Sequence, residues 1–233
     1  MQRGAAEHGG TFPGKLGGRF SRIPVLPALL LVALVAALVG AALASLLVGG
    51  SPADDSLEAG FARDMLVHHA QAAEMAEIVR DNTQDDEVRL LASDIAITQQ
   101  GQIGQLEGWL AVWGLSPTRT GPAMAWMGHP TEGRMPGMAS PEKIQGLREA
   151  SSDEVDVRFL QLMIPHHQAA LPMAEAARDS SDRLEVVRLA GAIANAQEAE
   201  IATMKDMLQS RDVTPDEAGS SSGDSMPSME HHG

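Results

Sequence analysis

The sequence has no cysteine and no tyrosine, and only 3% of its 233 residues are aromatic. The absence of cysteine excludes disulfide bonds, thiolate metal ligands, thiol nucleophiles and covalent haem attachment. The scarcity of aromatic residues argues against a β-sandwich, because strands are enriched in aromatic and β-branched side chains. The composition favours helices packed on aliphatic side chains and on the 13 methionines. Any bound metal must be held without thiolate.

Basic residues are also few, with 17 Lys and Arg against 31 Asp and Glu, and the formal charge is -14. The first 50 residues carry +3 and the remainder carries -17. Such an acidic domain repels phosphate backbones, so we expect no nucleic-acid partner.

Residues 23–48 contain no charged side chain and consist mainly of Leu, Val and Ala. Because about 20 such residues suffice to cross a bilayer, this segment predicts a transmembrane anchor or a signal segment. The basic segment at 1–22 is expected to stay in the cytoplasm, which places the rest of the chain outside. Ala42-Leu43-Ala44 matches a signal cleavage site, although the apolar run is longer than a usual signal core. We therefore favour an anchor in the cell membrane, with secretion after cleavage as the alternative.

A repeat organises the exported part of the chain. Residues 61–110 align with residues 159–208 without a gap, and 19 of the 50 positions are identical. In both units apolar residues recur at steps of three and four, which predicts two helices per unit. The fold class is therefore all-α, a four-helix bundle made of two duplicated helical hairpins and preceded by the transmembrane or signal helix.

These patterns divide the chain into segments. We expect a linker at 49–56, a four-helix metal-binding domain at 57–210 and a flexible tail rich in Met and His at 211–233. Within the four-helix domain, hairpin one takes 57–114, a Met-rich connector takes 115–150 and hairpin two takes 151–210. Glycine and proline in the connector, and Ser, Gly and Asp in the tail, are typical of loops.

The candidate metal ligands lie on the apolar face of each hairpin's first helix, which must point into the bundle. They are Met65, His68, His69 and Met75 in hairpin one, and Met163, His166, His167 and Met173 in hairpin two. An unpartnered buried imidazole costs about 1 to 3 kcal/mol, so a ligand is expected to satisfy these rings. Thioethers and imidazoles without thiolate suit Cu(I), or Cu(II) through the imidazoles alone.

A single His or Met on an apolar face is more often an ordinary core residue. The pairing of the histidines and their duplication favour the metal site. Gln99 and Gln197 interrupt the apolar stripe of each second helix, and their amide oxygens could accept an imidazole N–H and orient the ring. A hydrogen bond unrelated to metal is the equal alternative. Further Met and His residues in the connector and tail are candidates for accessory capture: Met124, Met127, His129, Met135, Met138, Met226, Met229, His231 and His232.

The pattern F-x3-M-x2-HH-x2-A-x2-MAE occurs twice, accompanied by W-L-x2-W-G at Trp109 to Gly114 and by M-P-G-M at Met135 to Met138. Over Leu57 to Leu208 the chain resembles the bacterial domain of unknown function 305 family. The resemblance implies a ferritin-like fold, export and a link to copper binding. It carries a metal role onto the eight candidate ligands, with Met135 and Met138 as further candidates.

The sequence thus predicts an extracytoplasmic copper-binding protein for copper sequestration, tolerance or handover to a copper-transfer protein, without catalytic turnover. One alternative is a ferritin-like redox enzyme, either a di-iron or a copper oxidase. The Glu-x-x-His pairs of di-iron sites are absent, which weakens that alternative. The other alternative is a metal-free helical interaction module.

Overall fold

The computed structural model describes residues 25–47 and 50–213, and all regular elements within them are helical. The helices are α1 (Val25–Leu47), α2 (Leu57–Asn82), α3 (Asp86–Trp113), α4 (Pro141–Arg148), α5 (Ser152–Ser180) and α6 (Leu184–Gln209), with a short 3-10 helix at Ala125–Met127. The all-α prediction is confirmed. The basic segment at 1–22 and the Met and His residues of the tail lie outside the described residues.

The chain divides into two compact units, one ending at Gly50 and one beginning at Ser51. The first unit contains α1, which covers most of the predicted anchor or signal segment at 23–48. Among the helices of residues 25–47 and 50–213, none qualifies as a membrane span. The anchor is therefore not confirmed.

The second unit consists of two helical hairpins. Helices α2 and α3 pack against each other, α5 and α6 do the same, and the hairpins meet through α2 and α5. Far fewer contacts join α3 to α6 among the described residues. The closed, ferritin-like arrangement of four helices is therefore not confirmed.

Local sequence signals set the ends of the first hairpin. The Ser56 side chain accepts a hydrogen bond from the Ala59 N–H at the start of α2, at 3.2 Å. The Asp85 carboxylate accepts from the Glu87 N–H at 2.9 Å at the start of α3. These side chains satisfy backbone donors that a helix leaves free in its first turn. At the other end of α3, Gly114 adopts a left-handed conformation with φ +72°, which ends the helix.

Two apolar clusters fill the second unit. The first joins the end of α2, the start of α3, the start of α5 and the end of α6, together with α4. The second joins the start of α2, the end of α3, the end of α5 and the start of α6. Because the start of α2 shares a cluster with the end of α5, these two helices run antiparallel.

Between the clusters, each of the helices α2, α3, α5 and α6 contributes two polar side chains. We call these eight residues the polar layer. They are His68 and His69 on α2, Gln99 and Gln102 on α3, His166 and His167 on α5, and Gln197 and Glu200 on α6. The layer lies between the two apolar clusters.

The connector at 115–150 contains more structure than its composition indicates. Helix α4 lies within it, packs against α2 and α5, and buries Ile144 and Leu147 in the first apolar cluster. Ser140 caps this helix by accepting from the Lys143 N–H, and Pro141 occupies its first turn. Proline is favourable there because the missing N–H has no helical partner to lose.

Candidate metal centre

All four histidines of the polar layer are fully buried, as the direction of the apolar stripe predicts. The rings of His68 and His166 lie across the interface between the hairpins, with centroids 3.8 Å apart and planes tilted by 41°. The centroids of His166 and His167 are 6.1 Å apart. The repeat units therefore bring equivalent imidazoles together at the α2–α5 interface.

Most ring nitrogens in the layer have no hydrogen-bond partner. Seven of the eight imidazole nitrogens are buried and unpaired among the described residues. The eighth, Nε2 of His167, lies 2.6 Å from Oε2 of Glu200. Buried polar atoms in proteins are almost always paired, and each exception costs about 1 to 3 kcal/mol. The unpaired ring nitrogens of the layer are therefore available to bind a ligand.

Burial favours the neutral form of three of these histidines, His68, His69 and His166. It lowers the pKa of His68 to about 4, against an opposing effect of the Pro136 backbone, and it lowers the pKa of His69 to about 3. Burial also lowers the pKa of His166 well below its ordinary value, and charge on the neighbouring histidines adds to the effect. A neutral imidazole keeps a lone pair on one nitrogen, which is the form that binds a metal.

Gln99 and Gln197 are each 2% exposed and lie in the layer. Neither amide group has a hydrogen-bond partner in the part of the chain that the structure describes, and a contact with an imidazole N–H stays a prediction. The imidazole rings are contacted instead by the side chains that follow Gln99 and Gln197 by three residues. Gln102 lies against His69, and Glu200 is bonded to His167. Our sequence reasoning missed these two residues, although their common spacing from Gln99 and Gln197 in both repeats is a usable signal.

The four predicted methionine ligands are also buried and lie on both sides of the layer. Met65 and Met173 belong to the second apolar cluster, whereas Met75 and Met163 belong to the first. Met65 precedes His68 by one helical turn, and Met163 precedes His166 in the same way. Thioether groups thus border the imidazoles from both directions.

Among the described residues, no group of three His, Asp or Glu side chains is arranged to hold one metal ion. The donors that the structure brings together are imidazoles in pairs, with thioethers nearby. Such a set fits a soft ion of low coordination number better than it fits an oxygen-loving ion that requires six ligands.

The connector lies against the polar layer at Gly137, within the M-P-G-M motif. This residue has φ +75°, and an added Cβ would approach the Ala169 Cβ to 2.5 Å and the Pro165 carbonyl oxygen to 2.6 Å. Only glycine allows the loop to pass so close to α5 beside His166. Met135 is 2% exposed in the second cluster, and Met138 is half-buried.

Asp64 holds the first part of the connector. Its buried carboxylate accepts hydrogen bonds from Arg119 at 2.6 Å, from the Met124 backbone N–H at 2.7 Å and from the Trp126 indole at 3.0 Å. The Trp126 ring covers Gly60, where a Cβ would come within 2.5 Å of it. These contacts bury Met124, leave Met127 half-buried and leave His129 exposed.

The family model for the domain of unknown function DUF305 matches residues 58–208. The chain therefore belongs to the DUF305 family. No curated protein is significantly similar to it. Among solved structures, a DUF305 protein from Streptomyces coelicolor that is described as secreted is 44% identical, with a TM-score of 0.67 over 70% of this chain and 98% of that chain.

Two further structures are similar. A DUF305 fragment from Deinococcus radiodurans is 35% identical, with a TM-score of 0.59 over 70% of this chain and 99% of that chain. CopM in its Cu(I)-bound form is 27% identical, with a TM-score of 0.51 over 66% of this chain and 96% of that chain.

Proposed function

We propose that this protein binds copper outside the cytoplasm and sequesters it or hands it to a transfer partner, without catalytic turnover. The observation that carries the proposal is the polar layer, in which seven imidazole nitrogens are buried and unpaired. A layer kept only for stability would pair these atoms or replace them with apolar groups, because both alternatives avoid the cost of burial. A bound metal ion supplies the missing partner.

Cu(I) is the ion that the donors favour. Neutral imidazoles are borderline ligands and thioethers are soft ligands, and in the absence of cysteine they are the softest donors in the chain. The similarity to CopM, whose structure is known with Cu(I) bound, supports copper as the ion. Cu(II) bound through the imidazoles alone is the secondary possibility.

The proposed location rests on the N-terminal sequence and on a relative. A basic segment precedes the uncharged segment at 23–48, which is the order found in exported proteins. The Streptomyces coelicolor relative is described as secreted. We propose export on these grounds, with a membrane anchor or a cleaved signal as the two routes.

The carboxylates argue against a di-iron oxidase. Di-iron oxidases of four-helix proteins use several inward glutamates, whereas the polar layer contains Glu200 alone. Asp64, the buried carboxylate nearest to His68 in the sequence, already bonds to three groups of the connector.

A double substitution tests the proposal. Replacing His68 and His166 by Leu removes the ring pair at the α2–α5 interface and leaves apolar side chains of similar size. Competition with a Cu(I) chelator should show affinity lowered by at least about 100-fold, because outer contacts alone are worth 10-fold to 100-fold. The Gln100→Leu variant, at an exposed position of α3, is the control and should bind as the wild type does. Unchanged affinity in the double variant, with helicity retained, would refute the central site.

A further inference from the structure

The two halves of the polar layer differ chemically at one pair of repeat positions. Residue 102 in hairpin one corresponds to residue 200 in hairpin two, and they are Gln and Glu. His167 is therefore paired with a carboxylate, with 2.6 Å between Nε2 and Oε2. The equivalent ring, His69, faces the neutral amide of Gln102.

This difference bears on which ring nitrogen carries the hydrogen, because the two partners offer different hydrogen-bonding groups. An ionised carboxylate only accepts hydrogen bonds, so a neutral His167 must carry its hydrogen on Nε2 and keep its lone pair on Nδ1. That Nδ1 is buried and has no partner. An amide can either donate or accept, so Gln102 selects no tautomer of His69.

The Glu200 side chain is 18% exposed. Water solvates part of the carboxylate while one oxygen reaches the fully buried ring. A fully buried carboxylate would carry a desolvation penalty of several kcal/mol. The arrangement matches the carboxylate–histidine–metal geometry in which the outer carboxylate orients a ring and raises its basicity.

We infer that Glu200 is a positioning residue that fixes His167 as the Nε2–H tautomer, presents Nδ1 to copper and makes hairpin two the stronger half of the centre. This inference rests on the proposed copper function for its metal-binding part. The tautomer itself is a property of the metal-free protein and is measured separately.

Long-range ¹⁵N–¹H NMR of the histidine rings in the metal-free full-length protein is the first experiment. His167 should show protonated Nε2 and unprotonated Nδ1. In Glu200→Gln this single tautomer should become a mixture, since the amide no longer requires an N–H donor. Cu(I) affinity, measured by chelator competition, should fall by about 10-fold to 100-fold in the same variant.

Gln102→Glu is the matched variant on the other hairpin. It should place the hydrogen of His69 on the ring nitrogen that faces residue 102, without weakening Cu(I) binding, and it keeps Glu200 in place. Because Gln102→Glu should add a single tautomer at His69 rather than remove one at His167, it tests the inference even if Glu200→Gln folds poorly.

The inference is overturned if His167 in the wild type is an imidazolium or carries its hydrogen on Nδ1. An unchanged tautomer together with unchanged affinity in Glu200→Gln overturns it as well. A wild-type protein that shows the expected tautomer but binds no Cu(I) would contradict the proposed function and the metal-binding part of the inference. The assignment of Glu200 as the group that fixes the tautomer would then stand.

Discussion

At the scale of single residues, the unusual feature is the number of buried imidazole nitrogens without a partner. The metal-free protein must keep His68, His69 and His166 neutral, because burial disfavours their charged forms. In the unfolded chain the same rings titrate near their ordinary pKa of about 6.5. This difference links the stability of the fold to pH.

We expect the metal-free protein to lose stability as the pH falls below about 6.5, because the unfolded chain then binds protons that the folded protein refuses. The loss continues until the pH passes the folded pKa values of about 4 for His68 and about 3 for His69. Each such histidine contributes up to about 1.4 kcal/mol per pH unit within its window. Urea unfolding between pH 7.5 and pH 4.5 measures the slope.

Two variants separate this effect from general acid sensitivity. His69→Leu removes one buried ring and should flatten the dependence by one proton. His129→Leu changes an exposed ring and should leave it unaltered. A His69→Leu profile parallel to that of the wild type would show that the buried imidazoles do not control the acid response.

Some of these residue properties could be predicted from the sequence, and others could not. The inward direction of His68, His69, His166 and His167 follows from helical periodicity. The hydrogen-bond partners do not, because they depend on side-chain reach across helices. For that reason the contact between His167 and Glu200 was missed, whereas the role of Gln99 and Gln197 in orienting a ring stays a prediction.

At the scale of elements, the connector is a packed part of the structure. Asp64 holds its first half to α2, and the close approach of Gly137 to α5 holds its second half beside His166. The segment between the hairpins thereby covers the polar layer. Two of its methionines, Met124 and Met135, are buried in the second apolar cluster.

Gly137→Ala should lower the free energy of unfolding more than the same substitution does at a glycine with positive φ and open space around it. Any alanine with positive φ costs about 1 kcal/mol or slightly more, and overpacking adds about 1 to 3 kcal/mol where the Cβ meets its neighbours. Gly128→Ala is the matched control, because its φ of +76° is almost the same and the space around it is open. Equal losses in chemical unfolding of the two variants would show that the connector does not pack tightly on α5.

The helices of the hairpins could be predicted from the sequence, whereas the structure of the connector could not. The hairpins are periodic and duplicated, so the sequence alone predicts their helices. The connector has no period, and its position depends on contacts 55 to 62 residues apart, such as those from Asp64 to Arg119 and Trp126. Composition suggested a loop, and helix α4 was missed for the same reason.

At the scale of the whole molecule, one apolar cluster lies on each side of the polar layer. Each cluster contains residues of both hairpins and stabilises their packing. The two clusters offset the cost of burying unpaired imidazole nitrogens, so the domain stays folded with the layer inside it. The repeat shows that the two units are alike but does not reveal how they pack together. The contact of His68 with His166, rather than between rings of one hairpin, therefore required the structure.

The position of copper in crystals of the Cu(I)-loaded protein tests the central claim most directly. We expect an anomalous scattering peak at the copper edge within the polar layer, bonded to imidazole nitrogens at the α2–α5 interface. Thioether sulfur from Met65 or Met163 is expected to complete the coordination. Copper found only at the connector or the tail, with no peak beside His68 and His166, would contradict the account.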